Sequence, residues 1–170
     1  VRAFVWEWYE TPESRGEFAR SAIERFEAIP GVRVAGVGSA LPLAESSGAE
    51  RATVVIEGQA PPPDGQMPTI GAASASPGYF AALGIPLREG RMFSASDDGR
   101  AAPVVLVNER VARHFWPTES PVGRRITVAF AGRPVSREIV GVVGNVRRES
   151  LEQDPPMAIF VPHAQSPTGS

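Results

Sequence analysis

The sequence predicts an α+β domain, and three observations carry that prediction. One stretch, Thr11–Ile29, has the apolar spacing of an amphipathic helix. Around it and after it lie short runs rich in Val, Ile and aromatic residues, each bounded by turn formers. The chain also holds 17 glycines and 17 prolines in 170 residues, well above the usual share of about 7% and 5%. Such punctuation favours many tight turns and short strands. A chain of this length supports one core, or two small lobes that share an interface.

The elements follow in order. Arg2–Tyr9, RAFVWEWY, alternates Phe4, Trp6 and Trp8 onto one face and reads as a strand with bulky residues on both sides. Either both faces are buried, or one is covered by a partner. In the helix that follows, Pro12 suits the first position, and Glu13 and Glu17 favour the positive N-terminal end. Phe18, Ala22, Ile23, Phe26 and Ile29 form its apolar stripe, and Pro30-Gly31 stops it. Arg33–Leu41 reads as a strand, so the first 41 residues predict a βαβ unit with a right-handed crossover. Pro42–Glu50 is a loop, Thr53–Glu57 a short strand, Ala60–Gly65 a stiff turn, and Thr69–Ala75 another strand.

The organising stretch is Ser76–Phe93, SPGYFAALGIPLREGRMF. Ser76 and Pro77 begin a helical turn that brings Tyr79, Phe80 and Leu83 together for burial. Gly84 ends the turn in a left-handed conformation, and Pro86 forbids the helix to resume. Gly90 makes a second break, and Phe93 returns to the core. Val104–Val107 is a buried strand, and Asn108 caps a helix over Glu109–Phe115 that Pro117 ends. Trp116 reads as a core plug that holds the helix end against Val122, with an exposed anchor for a partner as the alternative. Ile126–Phe130 and Glu138–Val146 are strands around the Gly132–Pro134 turn, and Ala158–Val161 is the last strand.

Composition narrows function. The chain is 42% hydrophobic and 21% charged, with a net charge of −2, so it has no basic excess for nucleic acid. The absence of cysteine excludes disulfides, a thiol nucleophile and Cys-based metal sites. There is no lysine, hence no P-loop lysine. Gly36-x-Gly38 and Gly141-x-x-Gly144 fall short of the dinucleotide fingerprint, because Leu41 stands where its third glycine belongs. They read as sheet packing. His114 and His163 are the only imidazoles, and neither belongs to an H-x-x-x-H pair. GVGSA lacks the second glycine of a nucleophile elbow. Asp97-Asp98 lacks the alternating ligands of a calcium loop. No catalytic residue, metal or cofactor is expected. The expected signature is structural: Tyr79, Phe80, Leu83, Gly84, Gly90, Phe93, Trp116 and Gly141.

Taken in their order and spacing, SPGYFAALGIPLREGRMF, VVLVNERVARHFWPTESPVGRRI (Val104–Ile126), EIVGVVGNVR (Glu138–Arg147) and MAIFVPHAQ (Met157–Gln165) resemble a known family. The chain resembles the MacB-like periplasmic core domain of ABC transporter permeases of the FtsX/MacB type. The resemblance implies two lobes: a porter-like βαβ lobe from residues 1–75 and 138–170, and an inserted mixed α/β lobe from 76–137. It implies that the first and last strands lie side by side, with the chain ends close together where transmembrane helices attach. It further implies a non-catalytic domain on the periplasmic face of the bacterial inner membrane. Such a domain couples its own permease helices, and through them a cytoplasmic ATPase, to extracytoplasmic partners or substrate in export, with a periplasmic adaptor as a further partner. The proline-rich APPPDG loop departs from the best-known efflux members. The rival expectation is a free-standing extracytoplasmic ligand-binding protein with a cleft between two lobes, which a deep apolar pocket with convergent polar groups would mark.

Overall fold

The computed structural model describes residues 12–40, 50–59, 67–130, 133–145 and 155–165. Helix α1 spans Pro12–Glu27, strand β1 Glu50–Ile56 and β2 Thr69–Ala75. Helix α2 is Pro77–Ala82, followed by β3 (Leu87–Gly90), β4 (Val104–Asn108) and helix α3 (Glu109–Phe115). Strands β5 (Arg125–Phe130), β6 (Arg133–Val143) and β7 (Ala158–Pro162) complete the chain, with a short 3-10 turn at His163–Gln165.

All the strands join one mixed, seven-stranded sheet in the order β3-β6-β4-β7-β2-β1-β5. β6 also pairs with β5, so β6, β4, β7, β2, β1 and β5 close into a ring to which β3 is appended. The length of β6 makes this possible. Its first half, Arg133–Glu138, runs antiparallel to β5, while Glu138–Val143 runs parallel to β4 and its last residues face β3. A ring this small is filled by its own side chains.

The alternation of side chains builds two clusters on opposite faces of the same strands. Val105 and Val107 of β4, Ile159 and Val161 of β7, Val54 of β1, Ile70 of β2 and Ile126 and Val128 of β5 fill the inside. Val111 and Trp116, from α3 and its end, join them. Val104 and Leu106 of β4, and Ala158 and Phe160 of β7, point the other way, toward α2 and Phe93. β4 and β7 are therefore buried on both faces, which explains their uninterrupted apolar runs.

Several expectations need correction. Arg33–Leu41 forms no strand over its described part; it makes a single bridge, Gly38 to Ala75. Backbone bonds there run from the Ser39 N–H to the Ser74 carbonyl and from the Ser76 N–H to the Val37 carbonyl, and serine hydroxyls add to them: Ser39 Oγ accepts from the Ser74 N–H, and Ser76 Oγ accepts from the Val37 N–H. The βαβ unit expected over the first 41 residues thus lacks its second strand, and its first, Arg2–Tyr9, lies outside the described residues. So do both chain ends and the Pro42–Ala49 and Ala60–Gly65 segments. The helix expected to reach Ile29 stops at Glu27. Strand β6 spans residues 137 and 138, and β3, β4 and β5 share the sheet with strands that precede and follow them in the chain.

Candidate functional site

The stretch Ser76–Phe93 meets β7 in an aromatic cluster. Tyr79, Phe80 and Phe93 are buried. Phe80 stands edge-on to Phe160 at 5.1 Å, to Tyr79 at 5.4 Å and to Phe93 at 5.9 Å between ring centroids. Edge contacts of this kind add about 0.5–1.5 kcal/mol beyond the area buried. Tyr79 satisfies its hydroxyl by donating to the Ala40 carbonyl at 2.7 Å. That bond ties the 33–40 segment to α2.

Backbone contact makes the same junction tight. A Cβ on Gly78 would lie 2.0 Å from the Ala35 carbonyl oxygen, and one on Gly36 would lie 2.3 Å from the Tyr79 nitrogen. The glycines that hinted at a nucleotide loop are thus where two backbones touch. Gly141 plays the same part under β3: its Cβ would meet the Arg91 carbonyl oxygen at 2.5 Å. Gly90, at φ 74°, turns the chain over that crossing.

Ser76 begins α2, but its side chain makes no cap and serves Val37 instead. Gly84 follows the helix at φ 65°, and its N–H reaches the Ala81 carbonyl. Leu83 overturns its expectation, being 39% exposed. The helix ends at Ala82, so Leu83 is the C-cap and turns off the buried face; Ile85 takes its place, its N–H bonded to the Phe80 carbonyl.

Trp116 is buried among the inner residues, with Val122 packed against the same cluster. Its Nε1 has no hydrogen-bond partner. Asn108 caps α3 by accepting from the Val111 N–H, and its amide donates to the Pro156 carbonyl at 2.9 Å.

Polar groups serve as clamps. Asp97 is buried and receives two 2.8 Å bonds from Arg91, together with the Ser94 N–H at 2.8 Å. Those bonds, the Arg91 guanidinium first, hold the Asp97 carboxyl below the usual carboxylate range. Arg137 is also buried, and burial pulls its guanidinium down. Its Nη1 donates to the Val104 carbonyl and to Gln165 Oε1 at 3.0 Å, both neutral oxygens, while Nε is left without a partner. Gln165 returns with bonds to the Val104 N–H at 3.1 Å and the Ala102 carbonyl at 3.0 Å. This polar knot, which sequence reading missed, locks the last described turn onto β4 and β6. A lone Gln and a strand Arg gave no motif to find it by.

The histidines sit apart in character. His114 is exposed and edge-on to Phe115 at 4.6 Å. His163 lies 3.4 Å from Ser74 Oγ, and burial lowers its pKa. Ser74 itself is buried on a strand rather than at a strained elbow, which does not suit a nucleophile. Among the described residues no group of three or more His, Cys, Asp or Glu is arranged to hold a metal ion. No described helix is long and apolar enough to cross a membrane.

Two surface hollows stand out. A groove of about 530 Å3 runs along α1 past Phe18, Ala22, Phe26 and Ile29. A shallow hollow of about 210 Å3 lies between β3 and α3, rimmed by Arg88, Glu89, Glu109, Arg113 and Glu119.

The family model of the MacB-like periplasmic core domain matches residues 3–168. The chain belongs to this family. Over 85 residues it is 32% identical to the macrolide export ATP-binding/permease protein MacB of Marinobacter nauticus. That alignment covers 50% of this chain and 12% of the relative, so the chain matches only a small part of it. The fold is similar to the periplasmic region of MacB from Actinobacillus actinomycetemcomitans, with a TM-score of 0.59 and 18% identity, over 89% of this chain and 60% of that one. It is also similar to the extracellular domain of the noncanonic ABC-type transporter YknZ from Gram-positive bacteria, at TM-score 0.52 and 19% identity, over 85% and 62% of the two chains.

Proposed function

We propose that these residues form the extracytoplasmic core domain of a MacB-like ABC transporter permease, on the periplasmic face of the inner membrane. In this role the domain is non-catalytic and passes motion between permease helices and extracytoplasmic partners or substrate in export. Its energy comes from a cytoplasmic ATPase, and a periplasmic adaptor is a further partner. The observation that carries the reading is the family match over residues 3–168. The ring of strands supports it physically. A sheet closed on itself and packed on both faces of β4 and β7 transmits displacement rather than absorbing it. The lobes expected from residues 1–75 with 138–170 and from 76–137 act here as one force-bearing body, since strands from both share one sheet. A ligand-binding protein would need a deep apolar cleft with convergent polar groups; among the described residues the larger hollow is an open groove along α1, and the one beside β3 is shallow and rimmed by charge.

The test places a cysteine at Arg88, which is exposed on β3, in the full-length permease with its other cysteines removed. A membrane-impermeant maleimide should label it in intact spheroplasts. Labelling only after lysis would contradict an extracytoplasmic domain.

A further inference from the structure

The hollow between β3 and α3 is walled by those two elements, by β6 and by the loop that follows α3. Trp116, Pro121 and Val142 are buried and form its floor, while Arg88, Arg113 and Glu119 stand exposed at its rim. Among the residues that line it, Trp116 alone carries a buried side-chain atom with no hydrogen-bond partner, its indole Nε1. A buried N–H is costly until an acceptor reaches it.

The rim holds charges of both signs, so hydrogen-bond capacity rather than net charge decides what fits. Arg88 Nε and Arg113 Nη2 both reach the same oxygen of Glu109, Oε1, at 3.5 and 3.2 Å. The other carboxylates are engaged elsewhere: Glu89 accepts from the Ser120 hydroxyl, and Glu119 from Arg124. Two guanidiniums, each with five N–H donors, thus share one carboxylate. With the indole N–H added, the hollow is rich in donors and short of acceptors.

A carboxylate meets that deficit. It offers two oxygens, one for a guanidinium and one for the indole, and its bonds to the guanidinium are charge-assisted. Taking over one arginine leaves the other to Glu109. The volume, about 210 Å3, admits one acidic side chain, since a water takes about 30 Å3 in the liquid. The apolar floor of Trp116, Pro121 and Val142 suits the methylene stem of a glutamate, which an inorganic anion lacks.

We propose that this hollow docks an acidic segment of an extracytoplasmic protein partner, which inserts one glutamate side chain over Trp116 between Arg88 and Arg113. The proposal rests on the extracytoplasmic reading above and names the chemistry of the partner.

The probe is the peptide acetyl-Gly-Glu-Gly-amide, titrated into the isotope-labelled full chain. The readout is the indole N–H resonance of Trp116, identified by its loss in Trp116→Phe. A saturable downfield shift is expected, which acetyl-Gly-Gln-Gly-amide and inorganic phosphate do not produce. The Arg113 side chain is 75% exposed, so Arg113→Gln should keep the fold. That variant leaves Arg88 to Glu109 and no guanidinium for the probe, so the shift should disappear. An indole signal that stays still overturns the proposal. So does one that moves equally with the glutamine peptide or with phosphate, or one that moves as far in Arg113→Gln. The maleimide experiment tests the extracytoplasmic reading by itself, and the titration tests the hollow whichever way that experiment falls.

Discussion

Two regions of this molecule carry equally apolar sequences and meet opposite fates. The stretch from Tyr79 to Phe93 sinks Tyr79, Phe80 and Phe93 against Phe160. The stripe of α1 leaves Phe26 and Ile29 about half in solvent among the described residues. Hydrophobic content does not separate them. What separates them is the surface each one meets. α2 sets Tyr79 and Phe80 against Phe160 of the sheet, and the Tyr79–Ala40 bond and glycines that let backbones touch hold the 33–40 segment over it. Among the described residues, α1 is tied to the chain that follows it by the Ala35 N–H donating to Glu27 Oε1, and it buries Ala19.

The largest effect should come from breaking the first region. Phe80→Ala removes a fully buried ring that touches three others. It should lower stability by about 3–5 kcal/mol in urea melts. A loss below about 1 kcal/mol would place the ring outside the energetic core.

Gln165→Ala should come next. It strips two bonds from the start of β4 and one acceptor from the buried Arg137. A cost of about 1–3 kcal/mol is expected, most of it from leaving the guanidinium short of acceptors. Protease cleavage near the C-terminus should accelerate in the same variant. Gly84→Ala should cost about 1 kcal/mol, because φ there is 65° while the space around a new Cβ is open. The penalty is thus conformational, and Gly84→Asn should recover part of it.

The smallest effect is on pH dependence. Burial holds the His163 pKa below its usual 6.5. As pH falls below that value the unfolded chain takes up the proton first. Stability should therefore be full above about pH 6.5 and decline as pH drops toward the folded pKa. His163→Gln should flatten that part of the profile, measured as the urea midpoint from pH 7.5 to 5.

Much of this was legible in the chain, for physical reasons that differ by element. β4 and α3 were readable because a β-branched run followed by Asn108 and then Pro117 leaves few alternatives. The buried aromatics of α2 followed from spacing, and Gly84 from the need to turn before Pro86. Leu83 misled because helical spacing alone does not say where a short helix ends. Arg33–Leu41 misled because its valines suggest a strand, while Gly36 packs its backbone against Tyr79 and the segment meets the end of β2 through a single bridge, with serine hydroxyls adding to the backbone bonds. The closure of the sheet by β5 and β6, and the Arg137–Gln165 knot, depend on contacts between residues far apart in sequence, which no local pattern encodes.

Native-state hydrogen exchange tests the central claim most directly, since it reads each amide's opening free energy separately. If the ring of strands with α2 is one body and α1 stands outside it, then amides such as Val105, Ile139 and Ile85 should exchange only through global unfolding. Those of α1 should exchange through a smaller, local opening that does not depend on denaturant to the same degree. Equal protection of α1 and the sheet, or early exchange of β4 and β6, would contradict the account.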